Sequence, residues 1–379
     1  MFRAEIPVDV FITSFFVLAL CLVEVVDSCP RACFCNTINK IVYCSRKSLD
    51  VIPKGIPPNT KQLNFNENKF EVTTLMRQNF TDFRELEHLY LSACGIRAIE
   101  VGTFINLLNL KFLDLGKNDI KDLQDFTFRG LSLEHLFLNG NDGIKLHRDT
   151  FTGLNVQGLY LQHCGLDSVP YETLRAVNGS LTKLWLNNNN IKRLSSNFKN
   201  IFSSLSHLRL NSNPFHCNCR LRWLKSFYDS KESIFEGSHS PACNTPMYTN
   251  HRGFEKLTVA DFRCEPPTFN NVDLLFSNNN GVLSCSASGD PAPYLYWVKP
   301  GGERLGFIPD SRDNAGRTDA EMMISYVKGN VHAGNYACVA LNDGGNRIRL
   351  PQRLLRRNPR PICRNKIRLT SLLCNTMAS

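Results

Sequence analysis

Cysteine offers the most chemistry in this sequence, and its fifteen copies are clustered along the 379 residues. The clustered cysteines are Cys29, Cys33, Cys35 and Cys44, then Cys217, Cys219, Cys243 and Cys264, and then Cys285 and Cys338. Groups of four cysteines either close disulfides or bind zinc through their thiolates. The compartment decides between these two chemistries, because disulfides persist in the oxidising surroundings outside the cell.

Residues 1–28 have the features of a secretory signal peptide. Arg3 precedes an apolar run over residues 11–23, and Val26 and Ser28 stand at the −3 and −1 positions of a cleavage site before Cys29. An uncleaved anchor helix is the alternative, but a membrane span takes about 20 apolar residues. We therefore predict a secreted, extracellular protein whose clusters form disulfides. A membrane-anchored form in a longer isoform stays open.

Catalytic motifs are missing from the sequence. It contains no Gly-x-Ser-x-Gly, no His-Glu-x-x-His and no phosphate-cradling loop. The net charge of +10 could attract nucleic acid, but a secreted chain has little access to it. We predict a protein that is not an enzyme, has no cofactor, and binds neither a small-molecule substrate nor nucleic acid.

A leucine pattern predicts the scaffold that positions the cysteine clusters. The pattern L-x-x-L-x-L-x-x-N, with Asn or Cys last, occurs seven times, and its last position advances by 26, 24, 23, 23, 25 and 24 residues. This period is typical of leucine-rich repeats, which stack one short strand and one return segment per unit. Cys94 and Cys164 take the last position in two repeats, about 14 Å apart at strand spacing. We predict that both are buried free thiols, because this distance is too long for a disulfide.

Two columns of side chains between the leucines should face away from the core, because alternate strand residues point to opposite sides. The position between the last two leucines holds Asn64, Tyr90, Asp114, Phe137, Tyr160, Trp185 and Arg209. The position two residues earlier holds Gln62, His88, Phe112, His135, Gly158, Lys183 and His207. Exposed aromatic residues in one column indicate a protein-binding surface, since Tyr, Trp and Arg dominate binding hot spots.

We select eight partner-binding candidates on this concave face. They are Tyr90, Asp114, Phe137, Tyr160, Trp185, Arg209, His88 and His135. The alternative is that the aromatic side chains simply pack on each other across neighbouring strands. A metal site is not predicted, because the nearest histidines of the column are two strands, about 10 Å, apart.

The four-cysteine clusters flank the repeats, where a solenoid needs caps over its open ends. Residues 29–57 resemble the N-terminal cysteine cap of extracellular leucine-rich repeat proteins. Residues 213–224, with Cys243 and Cys264, resemble the C-terminal cap. Spacing alone leaves three connectivities open for four cysteines. The resemblance implies the pairs Cys29–Cys35, Cys33–Cys44, Cys217–Cys243 and Cys219–Cys264.

A second module follows the repeats. Cys285, Trp297, Tyr336 and Cys338 form the Cys…Trp…Tyr-x-Cys arrangement of an immunoglobulin sandwich. The arrangement predicts that Trp297 packs on a Cys285–Cys338 disulfide and that Tyr336 is the corner tyrosine.

Capped leucine-rich repeats followed by one immunoglobulin domain resemble the animal cell-surface proteins typified by LINGO, AMIGO, Kekkon and netrin-G ligands. The resemblance covers residues 29 to about 350. It implies an adhesion molecule or co-receptor, often neuronal, that binds the ectodomain of an extracellular or membrane protein. The sequence shows no second apolar stretch for a membrane helix, which favours a secreted ligand, a decoy or growth-factor-receptor antagonist, or a matrix-bound form.

The sequence has two further features, a basic C-terminal segment and two glycosylation motifs. From Gly344 onward there are nine basic residues and no acidic one, which indicates either a solvated tail or attraction to heparan sulfate. Asn79-Phe80-Thr81 and Asn178-Gly179-Ser180 are N-glycosylation acceptors, so Asn79 and Asn178 are the predicted glycan sites.

The predicted fold is an α/β leucine-rich repeat solenoid with a parallel β concave face and cysteine caps, followed by an all-β immunoglobulin sandwich. The predicted segments are 1–28 signal peptide, 29–60 N-terminal cap, 61–214 seven repeats, 215–265 C-terminal cap, 266–355 immunoglobulin-like domain and 356–379 disordered basic tail. The predicted function is protein binding in cell adhesion or receptor modulation, and the alternative is a matrix protein associated with heparan sulfate.

Overall fold

The computed structural model describes residues 29–235, 240–277, 280–299, 301–305, 319–328, 335–350 and 352–353. The predicted signal peptide and the predicted basic tail lie outside these residues. Two compact units are present. The first holds residues up to Leu166 with Glu172–Leu186 and Ser204–Ser206, and the second holds Asp167–Tyr171, Asn187–Ser203 and the chain from His207 onward.

Short strands, one or two per repeat, build the first unit. They are β1 (Phe34–Asn36), β2 (Ile41–Tyr43), β3 (Gln62–Asn64), β4 (Thr74–Leu75), β5 (His88–Tyr90), β6 (Ala98–Ile99), β7 (Phe112–Asp114), β8 (Asp122–Leu123), β9 (Ser132–Phe137), β10 (Lys145–Leu146), β11 (Asn155–Tyr160) and β12 (Lys183–Trp185). A 3-10 helix covers Arg77–Asn79. Helix α1 covers Tyr171–Arg175.

The main sheet of the first unit has the order β1-β2-β3-β5-β7-β9-β11-β12. Strands β1 and β2 pair antiparallel, and from β2 onward the strands are parallel. The register places the central leucine of each repeat beside that of the next, such as Leu89 beside Leu113. The parallel strands, one per repeat, confirm the predicted leucine-rich repeat fold. On the return side, β4 pairs with β6 and β8 pairs with β10.

A column of stacked phenylalanines fills the return side of the repeats. The ring centroids of Phe80 and Phe104 lie 5.9 Å apart, those of Phe104 and Phe128 lie 6.2 Å apart, and those of Phe128 and Phe151 lie 6.0 Å apart. All four side chains are buried. The column ties consecutive repeats together on the side opposite the main sheet, through large buried apolar surfaces.

An asparagine ladder satisfies the backbone where each repeat turns. The Asn118 amide nitrogen donates to the carbonyls of Leu91 (2.8 Å) and Leu115 (2.9 Å). Its side-chain oxygen accepts from the backbone N–H groups of Cys94 (2.9 Å) and Ile96 (3.1 Å). One side chain therefore satisfies buried donors and acceptors of two consecutive repeats, which have no access to water.

Cysteine replaces asparagine on two rungs of this ladder. Cys94 and Cys164 are buried, and neither forms a disulfide. The Cys94 thiol donates to the Phe65 carbonyl at 3.2 Å, and the Cys164 thiol donates to the Leu138 carbonyl at 3.3 Å. Burial raises the pKa of each thiol to about 11, so both remain protonated and unreactive at neutral pH.

Charged side chains alternate along one flank of the main sheet. Glu87 lies between Lys61 (2.7 Å) and Lys111 (3.0 Å), and each of the three stands directly before a strand of the main sheet. Hydrogen bonds from the two lysines lower the pKa of Glu87 to about 2. The flank therefore keeps its charge pattern at any physiological pH.

The N-terminal cap ends the sheet with a β-hairpin. Disulfides join Cys29 to Cys35 and Cys33 to Cys44, with Cα–Cα distances of 5.8 and 4.4 Å. The bonds hold strands β1 and β2 over the first repeat, and the buried Cys44 lies in its core.

The second unit has its own set of elements. The strands are β13 (His207–Arg209), β14 (Phe215–His216), β15 (Cys243–Thr245), β16 (Glu265–Ser277), β17 (Asn280–Asp290), β18 (Tyr294–Val298), β19 (Arg304–Leu305), β20 (Asp319–Lys328), β21 (Ala337–Asn342), β22 (Gly345–Arg349) and β23 (Gln352–Arg353). The α-helices are α2 (Phe198–Phe202) and α3 (Arg222–Ser230). The 3-10 helices are Cys219–Leu221, Glu232–Phe235, Met247–Thr249, Phe254–Lys256 and Val259–Asp261.

Helix α3 forms the apolar part of the C-terminal cap. It buries Leu224 and Phe227. The ring of Phe202 in helix α2 lies 6.0 Å from the rings of both Trp223 and Phe227. Disulfides join Cys217 to Cys243 and Cys219 to Cys264, with Cα–Cα distances of 5.6 and 5.0 Å. The cap thus packs on helix α2 of the preceding return segment, and two disulfides crosslink the cap itself.

The immunoglobulin sandwich consists of two four-stranded sheets, with orders β20-β17-β16-β23 and β19-β18-β21-β22. Cys285 and Cys338 form a disulfide across the sandwich, with a Cα–Cα distance of 6.5 Å. Trp297 is fully buried in the same core and pairs with Cys338 on the neighbouring strand. Tyr336 belongs to this core too. The predicted fold class is therefore confirmed for the second module.

A buried polar cluster joins the C-terminal cap to the sandwich. Asp290 accepts hydrogen bonds from the His216 ring nitrogen Nε2 (2.8 Å) and from the Asn218 amide (2.7 Å). A more exposed ion pair joins Arg220 to Asp343 beside it. No helix within the described ranges is long and apolar enough to cross a bilayer.

Candidate functional site

Side chains on the solvent side of the main sheet form the candidate partner-binding surface. Strands β3, β5, β7 and β12 read half-buried, buried, half-buried, as in His88-Leu89-Tyr90, because the central leucine enters the core and its neighbours point outward. The parallel register aligns these outward positions in two straight columns across the strands.

Five aromatic rings form one continuous network on this face, which we call the aromatic surface. The centroid distances are 4.9 Å for Tyr90–Phe112, 5.0 Å for Phe112–Phe137, 4.2 Å for Phe137–Tyr160 and 4.7 Å for Tyr160–Trp185. Four of these side chains are half-buried. The rings pack on each other across strands and, together, present apolar surface to solvent. Packing of the rings on each other and their role as a protein-binding surface are therefore compatible in this geometry.

Tyr160 departs from the expectation that every ring in the column is exposed. Only 6% of its surface is accessible. Its ring is parallel to Phe137 and meets Trp185 edge-on, and its hydroxyl lies 3.1 Å from His135 Nδ1. The cause is Gly158 on the same strand, because a Cβ there would lie 3.0 Å from the Tyr160 hydroxyl. Tyr160 therefore supports the surface from beneath and contributes little contact area of its own.

Phe112 is the aromatic residue that sequence reasoning left out of the site. It stands in the second column and its ring contacts Tyr90 and Phe137 on both neighbouring strands. It bridges the gap that Asp114 leaves in the first column. The signal was present in the sequence, because the second column placed Phe112 between His88 and His135.

Two histidines of the second column contact the rings of the aromatic surface. The His88 ring lies 6.1 Å from the Phe112 ring, and the His135 ring lies 6.0 Å from it on the other side. Burial lowers the pKa of His135, and the field of Lys183 lowers it further. The ring of His135 is therefore largely neutral at physiological pH.

A metal site finds no support at the one place where ligand atoms converge in the described part of the chain. Cys219, Cys264 and Asp343 bring three potential ligand atoms within 4.8 Å of one another. Cys219 and Cys264 are joined in a disulfide, so their sulfurs are not available as thiolate ligands.

Asp114 is the one acidic residue on the aromatic surface. Its side chain is half-buried, and its Oδ1 accepts from the backbone N–H of Gly116 at 2.9 Å. Burial raises the pKa of Asp114, while the Gly116 hydrogen bond and the Lys117 charge act in the other direction. Burial also raises the pKa of Tyr90, and the neighbouring Asp114 charge adds to this.

Seven of the eight candidates lie together in the first unit. The eighth, Arg209, is a half-buried residue of strand β13 in the second unit. The predicted glycan sites lie away from this face. Asn79 ends a 3-10 helix and its side-chain oxygen accepts from the Met76 N–H at 2.7 Å, while Asn178 accepts from the Ser204 hydroxyl at 3.4 Å. Both asparagines are partly exposed, and glycosylation at each remains a prediction.

Three family models match the sequence. The leucine rich repeat N-terminal domain matches residues 28–57, the leucine rich repeat matches residues 84–142, and the immunoglobulin domain matches residues 274–350. The chain therefore has the domain architecture of extracellular proteins that combine leucine-rich repeats with an immunoglobulin domain.

Curated relatives are also named for leucine-rich repeats. The chain is 32% identical over 143 residues to mouse leucine-rich repeat and fibronectin type-III domain-containing protein 5, covering 36% of this chain and 18% of that protein. It is 27% identical over 388 residues to the zebrafish leucine-rich repeat and fibronectin type III domain-containing protein 1-like protein, covering 84% of this chain and 50% of the relative. This chain thus spans at most about half the length of these relatives.

A solved structure is also similar. Human 5T4 (Wnt-activated inhibitory factor 1, trophoblast glycoprotein) is 23% identical, with a TM-score of 0.45 over 62% of this chain and 100% of that one.

Proposed function

We propose that this chain of capped leucine-rich repeats and an immunoglobulin domain binds the ectodomain of a partner protein through its aromatic surface. The role is in cell adhesion or receptor modulation. The neuronal setting rests on the family resemblance alone. The observation that carries the proposal is the continuous ring network from Tyr90 to Trp185 on the solvent side of the sheet.

The physical reason is the nature of such a surface. A protein interface is strongest where rigid aromatic side chains are already packed, because little conformational entropy is lost on binding. The rings of the aromatic surface hold each other in place before any partner arrives. Half-exposed rings also retain apolar area, and its removal from water on binding is favourable.

Phe137→Ala tests the proposal. The exchange should weaken binding of the secreted chain to the surface of responsive cells by about tenfold or more, because Phe137 contacts Phe112 and Tyr160 at the centre of the aromatic surface. Saturable binding by flow cytometry is the measurement. Prior treatment of the cells with trypsin should abolish it, and treatment with heparinase should not.

Phe126→Ala is the matched control. Phe126 is an exposed phenylalanine, with 39% accessible surface, and it lies in the return segment after strand β8, away from the aromatic surface. Binding by this variant should stay within about twofold of the unchanged chain. If Phe137→Ala binds cells as well as Phe126→Ala does, at equal secreted yield, the aromatic surface is not the binding site.

A second function is association with heparan sulfate. The nine basic residues after Gly344 support it, and only Arg347 and Arg349 of these precede Leu350, so seven follow it. A chain ending at Leu350 should elute from heparin at clearly lower salt than the full chain, because each cation that is lost removes an electrostatic contact. Elution at the same salt concentration would exclude the basic tail as the heparin-binding segment.

A further inference from the structure

We propose that Asp114, with the rings of Tyr90, Phe112 and Phe137 beside it, is a binding site for a guanidinium group. The occupant is an arginine side chain presented by the partner protein. The inference rests on the proposed function and adds the chemistry of the partner.

The placement puts one carboxylate among three aromatic rings. Register aligns Tyr90, Asp114 and Phe137 on neighbouring strands, which lie about 4.8 Å apart. Asp114 therefore stands between two side chains that carry rings. Phe112, two residues earlier on the same strand, contacts both rings at 4.9 and 5.0 Å. The ring faces and the carboxylate together border one small region of the surface.

The fold does not require the negative charge of Asp114. Its Oδ1 accepts from the N–H two residues later, at 2.9 Å, to hold the turn after strand β7. Asn64 makes the same contact in its own repeat, where its Oδ1 accepts from the Asn66 N–H at 2.9 Å. A neutral amide is thus sufficient for this turn. The turn therefore does not explain why this position carries a negative charge.

The charge has a cost that a cationic ligand would remove. Burial raises the pKa of Asp114, which means that the ionised form is disfavoured by its surroundings. In the part of the chain that the structure describes, no cationic side chain forms an ion pair with it, although the Lys117 charge acts on it from a distance. Charge complementarity therefore favours a cation from outside the chain.

Guanidinium fits this region better than ammonium does. It is planar, stacks on aromatic faces and forms paired hydrogen bonds with a carboxylate. In Asp114, Oδ1 accepts from the Gly116 N–H, and Oδ2 has no hydrogen-bond partner among the described residues. Lysine is a strongly hydrated point charge and gains less from the rings. Arginine is also frequent among the dominant residues of protein interfaces.

The test uses the full secreted chain and three small probes. Nα-acetyl-arginine amide, its neutral isostere Nα-acetyl-citrulline amide and Nα-acetyl-lysine amide are compared by saturation-transfer NMR. The arginine probe should bind about tenfold more strongly than citrulline, because a charge-assisted hydrogen bond and the ring contacts both depend on the cation. Asp114→Asn, which keeps the acceptor for Gly116, should reduce arginine binding to the citrulline level.

Asp119→Asn provides the matched control. Asp119 is an exposed carboxylate in the same repeat, outside the aromatic surface, and its exchange should leave arginine binding unchanged. Equal binding of arginine and citrulline, equal binding of arginine and lysine, or full arginine binding by Asp114→Asn would each overturn the inference. These results are separate from the cell assay. Loss of cell binding in Phe137→Ala without any arginine preference would keep the proposed function and remove the guanidinium site.

Discussion

Replacement of Asn118 by alanine should lower the free energy of unfolding by about 4 kcal/mol. The Asn118 side chain is buried and bonded to the backbones of two repeats, at Leu91 and Cys94 in one and Leu115 in its own. Alanine leaves these backbone groups buried without partners, and each such group costs about 1–3 kcal/mol. Urea unfolding of the full chain, followed by circular dichroism, measures the loss.

Cys94→Ala is the control for this prediction. Cys94 holds the same ladder position one repeat earlier and is fully buried, but its thiol donates to the Phe65 carbonyl and its sulfur is only a weak acceptor for backbone N–H groups. Its removal should cost about 1–2 kcal/mol, mainly from lost packing. Equal losses in the two variants would mean that packing, and not backbone satisfaction, determines the stability of the ladder.

The repeats could be predicted from sequence because each repeat places a buried leucine at the same position of its strand. Leu89 and Leu113 mark the centres of strands β5 and β7, and the structure pairs them. The outward columns follow from the same alternation, since a strand has only two faces. The fold class could therefore be predicted from the sequence.

The return segments were harder to predict. The column from Phe80 to Phe151 was not predicted, although its phenylalanines recur after 24, 24 and 23 residues. The leucine pattern that identified the strands does not include this position. The short pairs of strands on that side, such as β4 with β6, have only two residues each. Two residues are too few to show an alternating pattern.

Side-chain exposure within the site depended on neighbours on other strands. The sequence predicted that Tyr160 stands in an outward-facing column, and its strand position agrees with this. Its burial depends on Gly158, on His135 and on the Phe137 ring, which come from two strands. The position of Phe112 between two rings also becomes visible only when the strands are aligned.

The contact between the C-terminal cap and the immunoglobulin sandwich was not predicted from sequence either. Asp290 lies 74 residues after His216 and 72 residues after Asn218 along the chain. Each has an unremarkable local context as a polar residue near a turn. Only the folded second unit brings them together, at a position where Asp290 keeps 7% of its side chain accessible.

Asp290→Ala should destabilise the second unit by about 3 kcal/mol, since loss of a buried, hydrogen-bonded carboxylate leaves its partners unsatisfied. Asn218, which is 1% exposed, loses the acceptor for its amide, and His216 loses its partner at Nε2. Hydrogen-exchange mass spectrometry should show faster exchange in both the cap and the sandwich. Faster exchange in the sandwich alone would contradict a shared structural role.

Asp343→Ala and the pH dependence of stability complete this test. Asp343 also pairs with a cap residue, Arg220, but half of its side chain is exposed, so its removal should cost less than about 1 kcal/mol. Burial acts to raise the pKa of Asp290, but the hydrogen bonds from His216 and Asn218 outweigh it and lower the pKa below its ordinary 3.8. The stabilisation is therefore present above about pH 4 and is lost as the pH falls through the lower folded-state value. Because Asp290→Ala has no such group, its stability should fall less steeply in acid, and an unchanged acid profile would mean that this carboxylate does not link cap and sandwich.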